Sequence, residues 1–223
     1  MIFIFTALPH LADAKVYLKI GSPAIQLLPI AIPNLSAEGE AAAIASKITE
    51  VVTHDLEMSG VLNILDKTTY PIDPLKGEFS AEMIDFKPWL AIGAEALVKG
   101  KAVMEGRSIT VDARLYDVTT GRQVMISRYN RDAKEFRKVA HEIADSIIAN
   151  LTGERGAFST RIVFVSNVKG NKEIFTMDYD GEGVEALTQN GSINLSPSWS
   201  PDGSAISYVS FKEGRSAVYL KDV

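Results

Sequence analysis

Residues 196–211 read SPSWSPDGSAISYVSF, and this stretch decides the fold. Ser200 and Pro201 open a turn, Asp202 can hydrogen-bond its own backbone, and Gly203 takes a positive φ that a side chain would resist. Short alternating runs flank the turn, so SPDG reads as a strand connector between blades rather than a catalytic loop or an ion site. Outward from it, RIVFVSN at 161–167 resembles AISYVSF at 205–211, and EIFTMDYD at 173–180 resembles AVYLKDV at 217–223. Both pairs are displaced by 44 residues, and from Gly156 onward no helical stripe interrupts these strands. An all-strand repeat of roughly 40–50 residues is the signature of propeller blades, whose sheets bury their faces against their neighbours. Such arrays need about three units for stability. The sequence stops within its second unit, so the chain is expected to be the front portion of a longer protein or one cut short.

Before the repeats, residues 15–154 mix periods and are expected to form an α+β domain, a mixed sheet with two long helices. KVYLKI and IQLLPIAIP are strand-like, with Pro29 and Pro33 marking edges or ends because proline cannot donate to a ladder. Ile44, Ile48, Val51, Val52 and Leu56 then recur on one helical stripe that Gly60 stops. VLNIL reads as a short strand, and Pro88 opens a brief helix through PWLAIG. In SITVDARLYDV, Ile109, Val111, Ala113 and Leu115 alternate with Thr110, Asp112, Arg114 and Tyr116, which predicts one buried face and one wet face. A last helix is expected from a capping pair, Asp132 and Glu135, to Gly153, with Phe136, Val139, Ala140, Ile143, Ile147 and Ile148 on its apolar face. Residues 155–223 then supply one blade and part of a second.

The totals exclude several classes of function. With 223 residues and 46% apolar content the chain is globular. A net charge of -5 without long runs of one sign argues against a nucleic-acid partner. The absence of cysteine removes disulfides, thiolate metal sites and cysteine nucleophiles. MIFIFTALPHLADA, residues 1–14, has the order of a signal peptide's apolar region and cleavage site, too short to span a bilayer and without the usual basic start. The competing reading is a frayed apolar N-terminus on a cytosolic protein. Export favours a protein peripheral to membranes rather than inserted in them.

No residue set calls for a reaction. HExxH and GxSxG are absent, and GKAVMEGRS has its glycines and lysine in the wrong order for a phosphate loop. His54 and His141 read as solvated surface histidines, and His10 falls in the leader. DYDGEG at 178–183 invites a calcium reading but lacks the further ligands, so it reads as the hairpin turn between two outer strands of a blade. Trp199 is expected to pack as core between blades. No catalytic residue, cofactor or metal is expected.

LTGERGAFSTRIVFV at 151–165 and LSPSWSPDGSAISYVSFKEGRSAV at 195–218 resemble the TolB family, periplasmic components of the Tol-Pal envelope system of Gram-negative bacteria. IAIPN and DVTTGRQV extend the likeness more weakly into the first half. The resemblance implies a non-catalytic, monomeric adaptor with an α+β domain and a six-bladed propeller. It also implies that the propeller docks the lipoprotein Pal, that some colicins exploit it, and that the mature N-terminal segment engages the C-terminal domain of TolA. KVYLKIGSP, Lys15 to Pro23, occupies that segment's position, with Lys15, Val16, Tyr17, Leu18, Lys19 and Ile20 as its expected partner-binding residues. Their alternation suits a strand that adds to a partner's sheet edge, or one that closes the domain's own sheet. Two other readings stand beside the adaptor. One is a propeller-bearing serine hydrolase whose catalytic domain lies beyond Val223, and the other is a periplasmic domain that binds a sugar or an ion.

Overall fold

Three long strands carry the sheet of the first half. In the computed structural model, which describes residues 27–72, 79–168 and 170–223, β3 (Ala96–Glu105), β4 (Ser108–Asp117) and β5 (Arg122–Asp132) form an antiparallel meander. β1 (Leu28–Ala31) and β2 (Leu62–Ile64) join it in parallel, giving the order β2-β1-β3-β4-β5. Helices α1 (Ala41–Met58) and α3 (Phe136–Thr152) pack on one face of this mixed sheet, against each other and against the strands. Ile48, Val52 and Leu56 of α1, Ile143 and Ile147 of α3, and Ile109, Val111, Ala113 and Leu115 of β4 form a single core there.

Several local expectations need correction. Pro29 does not mark an edge, since β1 lies inside the sheet. Leu28 N donates to Val61 O and Leu65 N to Ile30 O on the β2 side, so the nitrogen of Pro29 faces β3. The β1–β3 ladder starts one residue later, at Ile30 and Ala96, and therefore loses no bond to the proline. The second face of β4 is not wet along its whole length. Tyr116 is fully buried in a separate cluster with Ala31, Trp89, Leu97 and Val118, covered by the short helix α2 (Lys87–Ala91), which Pro88 opens as expected. The reciprocal capping pair is only half formed. Asp132 accepts from Lys134 N at the head of a 3-10 turn that leads into α3, whereas Glu135 makes no capping bond and sits 3.6 Å from Lys138. Gly153 ends α3 with φ 80.

The second half contains two three-stranded antiparallel sheets. The first has the order β6-β7-β8 (Arg161–Ser166, Glu173–Asp178, Glu185–Ala186), and the second β11-β10-β9 (Ala217–Asp222, Ala205–Ser210, Asn194–Trp199). β10 starts 44 residues after β6 (205 against 161) and β11 the same distance after β7 (217 against 173), so the repeat read from sequence is a repeat of strands. The sheets stack, with Ile174, Ile206 and Tyr208 buried between them and Val163, Val165 and Trp199 packed alongside, so Trp199 lies against this core as expected but is only partly buried. Glu173 staples the stack. Its carboxylate, buried between the sheets, accepts from Thr188 Oγ1 at 2.5 Å, Asn194 Nδ2 at 2.9 Å and Gly191 N at 2.9 Å. SPDG is a turn, closed by Gly203 N donating to Ser200 O, but it joins β9 to β10 inside one sheet rather than linking two blades.

Candidate functional site

The most elaborate polar arrangement among the described residues lies where the two halves meet. Arg137, His141 and Asp145 are spaced four apart on α3, so they form one stripe beside the apolar one. At the foot of the stripe, Asp145 holds the connecting chain. Its Oδ1 accepts from Phe158 N at 2.8 Å and its Oδ2 from Ser159 N at 3.0 Å. Those bonds seat the buried Phe158 in the N-terminal core, with its ring edge-on to Tyr179 of the β7–β8 hairpin at 5.5 Å. Gly156 lies so close to Asp145 that a Cβ there would stand 2.6 Å from the aspartate Cα.

At the head of the stripe, Arg137 reaches the hairpin directly. Its Nε lies 3.3 Å from Asp178 Oδ2, and its Nη2 bonds Asp180 Oδ2. Burial works against ionisation of Asp180, but the arginine bond and a bond from Glu182 N hold its carboxyl below the ordinary value. Between head and foot, His141 Nδ1 stands 2.7 Å from Asp55 Oδ2 of α1, with both side chains buried. Desolvation would push His141 down, but the bond and charge of Asp55, helped by Asp180, raise its pKa overall. Burial pushes Asp55 up against the pull of the imidazole. The pair therefore tends to keep its proton.

His141 is thus not the solvated histidine expected from sequence. It sits on the flank of the apolar stripe, as read, but that flank is covered by α1 and by the β7–β8 hairpin. His54 is exposed, as expected. DYDGEG is the hairpin turn that joins β7 to β8, with Gly181 N donating to Asp178 O, and its two aspartates also dock the sheet onto α3. That second role was missed, although the four-residue spacing of Arg137, His141 and Asp145 is a signal that could have exposed it. Asp55, His141 and Asp180 offer atoms within 4.8 Å of one another. Beside them the Arg137 guanidinium pairs with the two hairpin carboxylates, Asp178 and Asp180, so the cluster carries both signs of charge. Lys15, Val16, Tyr17, Leu18, Lys19 and Ile20 lie outside the described residues, as do the segments MIFIFTALPHLADA and KVYLKI.

The architecture defines a class of protein, an α+β domain fixed through a buried polar junction to stacked antiparallel sheets of propeller type. Among the described residues no helix is long and apolar enough to cross a membrane. Residues 16–124 match the family model for the TolB amino-terminal domain, and residues 148–223 that for the TolB beta propeller domain. The chain belongs to the TolB family of Tol-Pal system proteins. It is 36% identical over 204 residues to the Tol-Pal system protein TolB of Anaeromyxobacter dehalogenans, covering 92% of this chain and 47% of that protein. Against the Geobacter sulfurreducens protein of the same name the identity is 37% over 207 residues, covering 91% and 46%. The crystal structure of TolB from Acinetobacter baumannii superposes with a TM-score of 0.75 at 28% identity, over 89% of this chain and 47% of that one. The chain spans about half the length of the curated relatives it matches.

Proposed function

We propose that the protein to which this chain belongs is a non-catalytic docking scaffold of the periplasm. Its propeller binds the lipoprotein Pal, and its segment Lys15–Ile20 binds the C-terminal domain of TolA. In this reading it couples energised inner-membrane components to the outer membrane, supports envelope constriction during division and keeps the outer membrane intact. The protein acts as a monomer, peripheral to membranes.

The observation that carries the reading is the joining of the two halves, each matching its own TolB family model, on one chain. The stacked sheets support it further. One face of the second sheet is buried on the first, while β11 presents Val218 and Leu220, 73% and 80% exposed, as apolar area for further stacking. The alternation of Lys15–Ile20 supports strand addition, in which main-chain bonds provide affinity and alternate side chains provide choice of partner.

The test is capture from a periplasmic extract with the full-length protein. Pal is expected to be retained, and deletion of Lys15–Ile20 to weaken TolA binding while leaving Pal binding in place. Unchanged TolA affinity after the deletion would refute the N-terminal assignment, and failure to retain Pal would refute the docking role of the propeller.

A further inference from the structure

The buried Asp55–His141 pair joins α1 to α3 on the side of the N-terminal half that faces the first propeller sheet. Asp55 is fully buried on α1 and His141 is 4% exposed on α3, yet the free ring nitrogen of His141 has no hydrogen-bond partner and points at the other half, 4.0 Å from Asp178 Oδ2. The charged groups around the imidazole come from every element packed on it. α1 supplies Asp55 and, on its exposed side, His54, while α3 supplies Arg137. The β7–β8 hairpin supplies Asp178 and Asp180, and β6 supplies Arg161, which lies 3.8 Å from Asp178 and 3.4 Å from Glu185 of β8.

We propose that the Asp55–His141 pair is a proton-operated latch between the N-terminal domain and the first propeller sheet. With both ring nitrogens protonated, Nδ1–H is held by Asp55, and Nε2–H presents positive charge to Asp178 and Asp180, drawing the hairpin onto α3 beside Arg137. When one proton leaves, the remaining one stays on Nδ1, because Asp55 Oδ2 is the sole partner of that nitrogen and Asp55 Oδ1 has no other donor. Nε2 then turns a lone pair toward the Asp178 carboxylate. One attraction becomes a repulsion where α1, α3 and the hairpin meet, and the sheet is freed to shift against the domain.

The sign follows from the direction of the shift. A histidine pKa raised above 6.5 keeps the latch fully closed below that value and opens it as pH rises through the raised one. This inference does not depend on which partner the propeller docks, so it stands or falls apart from the capture experiment.

Because the chain has no cysteine, a fluorophore pair can be placed on the exposed positions Glu50→Cys in α1 and Lys221→Cys in β11 of the full chain. Energy transfer is then followed between about pH 6 and 9, alongside the His141 ring resonances. The latch predicts one narrow distance at low pH that changes as pH rises, with the same midpoint as His141 and above 6.5. His141→Gln should show the high-pH distance throughout. Asp178→Asn, whose amide can donate to the neutral ring nitrogen, should keep the low-pH distance at high pH. His54→Gln should behave as the parent chain. A distance invariant with pH in the parent chain, or a transition that survives in His141→Gln, would overturn the proposal. If His141→Gln fails to fold, Asp178→Asn decides the matter, because a transition left unchanged in that variant overturns it as well.

Discussion

Replacing Gly156 with alanine tests whether the connection between the two halves is as tight as it looks. The added Cβ would stand 2.6 Å from Asp145 Cα and 3.0 Å from its Cβ, and closer still to Oδ1. The obstacle is partly backbone of a buried helix, which cannot swing aside like the end of a long side chain. Overpacking of this kind costs about 1–3 kcal/mol. Relief by moving the 153–160 chain outward would stretch the bonds from Phe158 N and Ser159 N to the Asp145 carboxylate, each worth about 1.5–3 kcal/mol as a bond to a charged group. The cheaper route wins, so the expected loss is about 2 kcal/mol. Gly153, three residues earlier, provides the contrast. It has open space around a Cβ but a φ of +80, so alanine there incurs backbone strain of about 1 kcal/mol and asparagine less. Urea unfolding of the chain measures all three, and amide exchange at Phe158 and Ser159 locates the damage. Gly156→Ala within about 0.5 kcal/mol of the parent, with unchanged exchange at those amides, would refute the packing argument.

Two further outcomes can be measured directly. Ile147→Ala removes a fully buried side chain from the principal core and should cost about 2–5 kcal/mol in the same unfolding assay. Asp202, in the β9–β10 turn, is held at about 2 by hydrogen bonds from Ser200, from Ser204 N and from Ser204 Oγ. Its contribution to stability is therefore complete above the ordinary carboxyl value of 3.8 and lost as pH falls through about 2. A carboxyl resonance titrating at the ordinary value would show that the turn bonds do not persist in solution.

What could be read from the sequence was whatever repeats along the chain. The apolar stripe of α3 recurs at helical spacing, and Gly153 past its end supplies the left-handed stop, so the helix and its buried face were both legible. The 44-residue offset was legible because stacked sheets use the same alternation in each copy. What could not be read was whatever depends on a second segment arriving. Tyr116 continues the polar series of β4, and only the return of residues 79–94 over that end of the sheet buries it. Pro29 breaks a donor row, and only the late start of β3 makes the break harmless. Asp132 and Glu135 have capping-box chemistry, but the 3-10 turn between β5 and α3 lets only the first of them cap.

The junction is the strongest case of this limit. Asp55 and His141 are 86 residues apart, and each occupies the border of an apolar stripe, where a polar residue ordinarily meets water. Their burial follows from α1 and α3 lying side by side and from the β7–β8 hairpin closing over both, a three-body arrangement that no local pattern encodes. A pair of apolar residues in the same space would hold the helices together at least as firmly, because desolvating the two charged groups offsets much of their attraction. An imidazole with one nitrogen fixed and the other directed at carboxylates in the facing sheet adds something an apolar pair cannot, a contact whose sign depends on a proton. The physical content of the junction therefore lies less in how tightly it holds the two halves than in the conditions under which it holds them.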